Sequence, residues 1–277
     1  MAKLVTILGT TLLVAGAATT ALQASEIQER ALRQAMGYAK RGLYALEKGN
    51  SARAAEDFTR ALAQIPDLPD AHAGLGHVAM QQHRFDDALT EYRLAQQFYT
   101  SFVAARIDLA QQRYSKTRDQ IQMLSDAKNV VEREQMRAQV RGGALGNGAS
   151  TSEGRLQREK LEYEQEISRL ESQTQVIPAL EGVVSEPPAS YYFFEANALF
   201  NLKRNEEAIA AWQRAVERDP NYAVAFNNLA VAYWKQGRLD DAQASLARAD
   251  ALGFKVNPSF RADLEKSVGQ RKTQATH

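Results

Sequence analysis

This chain predicts an all-α fold built as a helix-turn-helix repeat solenoid, and three observations carry the prediction. A 34-residue pattern occurs twice without a gap: Tyr38, Gly42, Ala54, Phe58, Ala61 and Pro66 recur as His72, Gly76, Ala88, Tyr92, Ala95 and Thr100. The pattern returns near the other end, where Tyr192, Ala196, Ala208, Trp212, Ala215 and Pro220 recur as Phe226, Ala230, Ala242, Leu246, Ala249 and Phe254. Between the two pairs, apolar residues change to heptad spacing around a glycine-rich run, which predicts an inserted antiparallel coiled-coil hairpin. Self-similarity at this period means stacked units, because one helix pair cannot bury its own apolar face and neighbours must cover it.

Composition narrows the function classes. Lys plus Arg number 34 against 33 Asp plus Glu, so no broad field attracts nucleic acid, and none is expected as a partner. With no cysteine, structural disulfides, a thiol nucleophile, cysteine-ligated zinc and a lipidated N-terminal cysteine are all excluded.

From Leu4 to Ala24 the chain carries no charge, with Lys3 before it and Glu26 behind. Such a run fits a signal peptide cut after Ala24 or a retained membrane anchor, with a cytosolic start as the third reading. In the first two readings the repeats lie on the periplasmic or other extracytoplasmic side, tethered to the inner membrane if the segment stays. Residues 25–102 then hold an N-terminal helix, capped by Ser25 with Gln28, and two repeats. KGNS at 48–51 marks the turn inside the first repeat and PDLPD at 66–70 the break after it.

Residues 103–177 form the expected hairpin. Its first seam is Ile107, Tyr114, Ile121, Leu124 and Val131, joined by Ala110 and Ala138 and interrupted by Thr117, Lys128 and Gln135. Its second is Leu156, Tyr163, Ile167 and Leu170. Glycines place the tip at 142–154, and a helix over 153–177 would overlap its partner for about 37 Å at 1.5 Å per residue. Prolines mark a linker at 178–188, and two more repeats fill 189–256. Asn257 and Pro258 then start a capping helix that leads into the tail to residue 277. Matched positions in the two repeat pairs are 154 residues apart, which is no multiple of the period, so the sequence leaves their mutual stacking open.

The units resemble tetratricopeptide repeats, best in GLYALEKGNSARAAEDFTRALAQIP, LGHVAMQQHRFDDALTEYRLAQ and NNLAVAYWKQGRLDDAQASLARA. About half the chain is covered, and the third unit departs in having Ala196 where glycine is usual. The resemblance implies protein partners held in a groove lined by the first helix of each repeat. It puts Asn197 and Asn228 on groove positions with Asn227 beside them, where amides can hold the backbone of an extended peptide. An exposed helix face without a ligand accounts for the same asparagines. The family's clamp for chaperone tails is absent, since its positions carry Ala39, Leu43 and Gly74. The first groove instead offers Ala39, Leu43, Ala73, His77 and Met80. That small apolar surface suits an amphipathic partner helix or the chain's own N-terminal helix.

No phosphate loop, zinc-protease motif or strand-to-glycine fingerprint is present, so the chain reads as no enzyme and no cofactor is expected. GGALGNG lies between helices and reads as a hinge. His72, His77 and His83 invite a metal reading, but His72 and His77 point about 140° apart on a helix and His83 sits in a turn. The function read from sequence is an exported or membrane-tethered scaffold that helps assemble an envelope or secretion complex, with self-association through the coiled coil. The partner-binding groove also takes in Phe193, Phe200, Val231 and Trp234. The alternative is an accessory subunit that binds an exported glycan on the aromatic residues Tyr192, Phe193, Phe200 and Trp234.

Overall fold

The computed structural model describes residues 29–142, 150–174 and 186–274. The run at 4–24, the Ser25 cap and the GGALGNG hinge past Gly142 lie outside the described residues. Two compact units result: Met1–Phe102 with Glu186–His277, and Val103–Ser185.

In the first unit, α1 covers residues 29–47, so the N-terminal helix and the first helix of repeat one are a single element. The order continues with α2 (Ser51–Gln64), α3 (Pro69–Gln81), α4 (Phe85–Gly142), α5 (Ser150–Thr174), α6 (Ala189–Asn201), α7 (Asn205–Arg218), α8 (Ala223–Lys235), α9 (Leu239–Ala251) and α10 (Pro258–Gln274). Small residues let the helices cross: a Cβ on Gly74 would lie 2.3 Å from the Phe58 ring, and one on Gly76 would lie 2.5 Å from Tyr92. Ala54, Ala61, Ala208 and Ala215 are fully buried at the matching crossings.

The inner turn of every repeat passes through the left-handed region at one equivalent position: Gly49 (φ 74°), His83 (58°), Lys203 (64°) and Gly237 (73°). His83 is therefore a turn residue.

What ends the second helix differs between repeats. Ile65 and Asp219, each before a proline, are forced into extended backbone, and α2 and α7 stop there. In repeat two the matching residue is Thr100, which keeps its N–H. The helix therefore runs on unbroken for 58 residues, through Phe102 and into the second unit.

The insert does not separate the repeat pairs. Arg93 Nε on α4 donates to Glu195 Oε1 on α6 at 2.8 Å, Gln96 Nε2 donates to Glu195 Oε2 at 2.9 Å, and Tyr191 OH donates to Asp70 Oδ1 at 2.9 Å. Phe194 packs on both His77 and Tyr92. Ala79, Leu89, Phe193, Leu199 and Trp212 consequently share one core. At the far end Asn257 Oδ1 accepts from Ser259 N, and α10 closes the array with buried Leu264 and Val268.

In the second unit, Gln135 donates to Gln157 at 3.2 Å and Lys160 pairs with Glu132 at 2.8 Å. Three residues back on α4 match three residues forward on α5, so the pair runs antiparallel. Val131, Leu156 and Leu170 are buried, and Ile107, Ile121, Leu124, Tyr163 and Ile167 are half-buried. Tyr114, of the expected seam, is exposed. α5 begins at Ser150, within the predicted tip 142–154. Gly154 is carried inside the helix at a cost of about 1 kcal/mol relative to alanine.

Candidate functional site: an amide strip on α6 and α8

The first helices of repeats three and four bring the predicted asparagines together. Trp212 is buried, and its Nε1–H donates to Asn197 Oδ1 at 3.2 Å. An indole nitrogen can only donate, so Asn197 must turn its oxygen inward and its Nδ2 outward. The same oxygen accepts from Asn228 Nδ2 at 3.1 Å, and Asn228 Oδ1 accepts from Asn227 Nδ2 at 3.4 Å. All three asparagines are half-buried. Asn201 bonds back to the Asn197 carbonyl at 2.8 Å, and Lys235 Nζ lies 4.7 Å from the centre of the Phe200 ring. With half-buried Val231, these residues make a strip whose outward groups include donors (Asn197 Nδ2, Lys235) and an acceptor (Asn227 Oδ1). Both kinds are needed to pair with an extended peptide backbone.

Other expected groove residues are already engaged. Phe193 is core, tilted against Tyr222 at 5.1 Å and edge-on to Phe194. Trp234 is covered by α10, with Nε1 donating to Ser267 Oγ at 3.0 Å and its ring against Phe260. Phe200 packs on Trp212. The Phe193, Phe200 and Trp234 rings proposed to stack on sugar thus already contact neighbouring rings, and Tyr192 is a half-buried neighbour of the core. The first groove is likewise filled: His77 Nδ1 and Tyr92 OH share a hydrogen bond at 3.0 Å, His77 meets Phe194, Met80 packs on the shared core, and Ala39 and Ala73 are buried. Leu43 alone of that set is exposed.

Each described histidine has a structural setting. Buried His72 is held by Glu91 at 2.7 Å and by the Pro66 carbonyl at 3.0 Å, replacing the aromatic residue of repeat one. Burial opposes its charge, but the Glu91 and Pro66 hydrogen bonds and nearby Asp67 outweigh this and raise its pKa. Burial lowers that of His77. Among the described residues, no group of three or more His, Cys, Asp or Glu could hold a metal, and no helix is long and apolar enough to cross a membrane. Sequence reading missed the junction residues Asp70, Arg93, Gln96, Tyr191 and Glu195. The one signal was an acid at 195, on the buried face of a helix, with a tyrosine one turn before it.

Family models described as tetratricopeptide repeat match residues 40–101 and 223–252, and one described as TPR repeat matches 196–237. No curated protein matches the chain. Among solved structures it is similar to pilF of Pseudomonas aeruginosa (18% identity, 90% of this chain and 89% of that one, TM-score 0.35). It is also similar to TTC0263 of Thermus thermophilus (16%, 87% and 98%, 0.33). A third likeness is to YrrB, described as a TPR protein with an unusual peptide-binding site (16%, 90% and 97%, 0.27).

Proposed function

Since this chain is a tetratricopeptide repeat protein, we propose that its work as a protein–protein interaction scaffold centres on the α6–α8 strip, which holds an extended partner segment. The observation that carries this is the Asn197 amide: its oxygen is taken by Trp212 and Asn228, and its Nδ2 has no hydrogen-bond partner among the described residues. A fixed outward donor beside a lysine and a second amide pre-organises backbone recognition, which lowers the entropy cost of binding. The reading involves no catalytic step. The uncharged run at 4–24 supports an exported or membrane-tethered scaffold that serves assembly of an envelope or secretion complex. Exposed Met123, Met136 and Val140 support self-association through the 103–185 unit.

The test is selection of displayed random peptides on the full chain, repeated with Asn197→Asp. That variant keeps an acceptor for Trp212 and replaces the outward donor with an oxygen. Peptides enriched by the native chain and lost with the variant support the reading. Failure to enrich any peptide, or equal enrichment by both, sinks it.

A further inference from the structure

The two ends of the repeat array differ. At one, α10 covers Trp234; at the other, Tyr44 on α1 is 61% exposed, although its equivalents Val78, Ala198 and Ala232 are at most 1% exposed. Those three are buried because a preceding repeat lies against them. Tyr44 occupies the same position with no preceding repeat over it among the described residues.

The charges at this end are inverted as well. At the junction of repeats two and three, Arg93 of the preceding helix sits between two acids, 2.8 Å from Glu195 and 3.8 Å from Glu207. The residues of repeat one equivalent to these acids are Arg41 and Arg53. The other repeats also keep an acid at the second position, Asp87 and Asp241. Arg41, Arg53, Tyr44, Lys48 and Asp57 line an open cleft of about 260 Å3. Asp57 is buried beneath the two arginines, at 3.5 Å from Arg41 Nε and 3.7 Å from Arg53 Nε, and its Oδ2 has no hydrogen-bond partner. The cleft thus holds one carboxylate against three cations, of which Arg41 and Arg53 pair with Asp57 and Lys48 lies 5.4 Å from the centre of the Tyr44 ring. The terminal nitrogens of Arg41 have no hydrogen-bond partner among the described residues.

We propose that this end face docks an amphipathic helix of a partner protein that carries a carboxylate where Arg93 sits at the internal junction, between Arg41 and Arg53, with apolar residues over Tyr44. Charge complementarity selects this occupant: residues 4–24 of the chain itself carry no acid to offer. The surface is separate from the amide strip and would act as a second handle.

The probe is a synthetic peptide copying residues 85–102 with Arg93→Glu, titrated onto the full chain beside the unaltered peptide. The account expects saturable binding of the acidic peptide, at least about ten-fold tighter than the unaltered one, weakening with salt. Arg41→Glu should invert the preference. Because that change also disturbs Asp57, Tyr44→Ala serves as a second variant and should weaken the acidic peptide without inversion. Equal affinity for the two peptides, or no saturable binding, overturns the proposal. So does a photo-crosslinker at position 44 that captures residues 1–28 or a second copy in preference to the acidic peptide. Loss of peptide selection by Asn197→Asp leaves this result untouched, so the two readings fail separately.

Discussion

Trp212 donates to Asn197 Oδ1 at 3.2 Å, and this one bond orients the amides of the strip. Asn197→Ala would strand the buried indole N–H, at a cost of about 1–3 kcal/mol. Asn197→Asp keeps the acceptor and should unfold within about 0.5 kcal/mol of the native chain. Urea denaturation of both variants checks the difference. Equal losses would mean that the indole bond does not orient Asn197.

Crossing contacts at the glycines predict opposite signs for two similar substitutions. A methyl on Gly74 meets the Phe58 ring at 2.3 Å, and Gly74→Ala should destabilise by about 1–3 kcal/mol. Gly37, in α1, has nothing within 4 Å of its would-be Cβ, and Gly37→Ala should stabilise by about 0.5–1 kcal/mol. Denaturation midpoints that moved the same way would contradict the packing.

Glu195 joins the repeat pairs across the insert. Glu195→Ala removes the carboxylate that accepts from both Arg93 and Gln96, leaving Arg93 the longer approach to Glu207 at 3.8 Å and Gln96 the Tyr191 carbonyl at 3.4 Å. Because Arg93 is half-exposed, the loss should be about 1–2 kcal/mol, below the roughly 3–5 kcal/mol of a fully buried pair. Calorimetry should show the single transition broadening or dividing, since repeat arrays lose cooperativity where a junction weakens.

Two histidines set opposing pH dependences. Burial works against the charge of His72, but Glu91 and Pro66 raise its pKa, so its contribution is full below about 6.5 and is lost as pH climbs through the raised value. Burial lowers the pKa of His77, so it withdraws stability as pH falls below about 6.5. His72→Gln removes the first effect and leaves the second. Its urea midpoint should fall more steeply on acidification than that of the native chain; a parallel profile would contradict the assignment.

The helix pairs were legible because their crossings need small residues at fixed spacing, and Gly42, Ala54 and Ala61 declare it. The amide strip was legible only through repeat position: Asn197 and Asn228 lie on neighbouring first helices, and their 3.1 Å approach follows from stacking. Phe193 was misassigned because a helix turns about 100° per residue, and one step separates a core face from a groove face. Trp234 is covered by α10, the capping helix that Asn257 and Pro258 predict, but the repeat pattern does not say which groove residue that helix meets. The Arg93–Glu195 bond spans 102 residues with no local signal. The continuation of α4 past Phe102 was readable in principle, since Thr100 lacks the stop that Pro66 and Pro220 impose.

The central claim is that partners are held at the outward amide of Asn197. Its most direct measurement is crosslinked co-purification from the native host, comparing the intact chain with Asn197→Asp and with a chain lacking residues 103–177. The account predicts specific proteins recovered with the intact chain and lost with Asn197→Asp at unchanged folded yield. An identical set of proteins from both would contradict it.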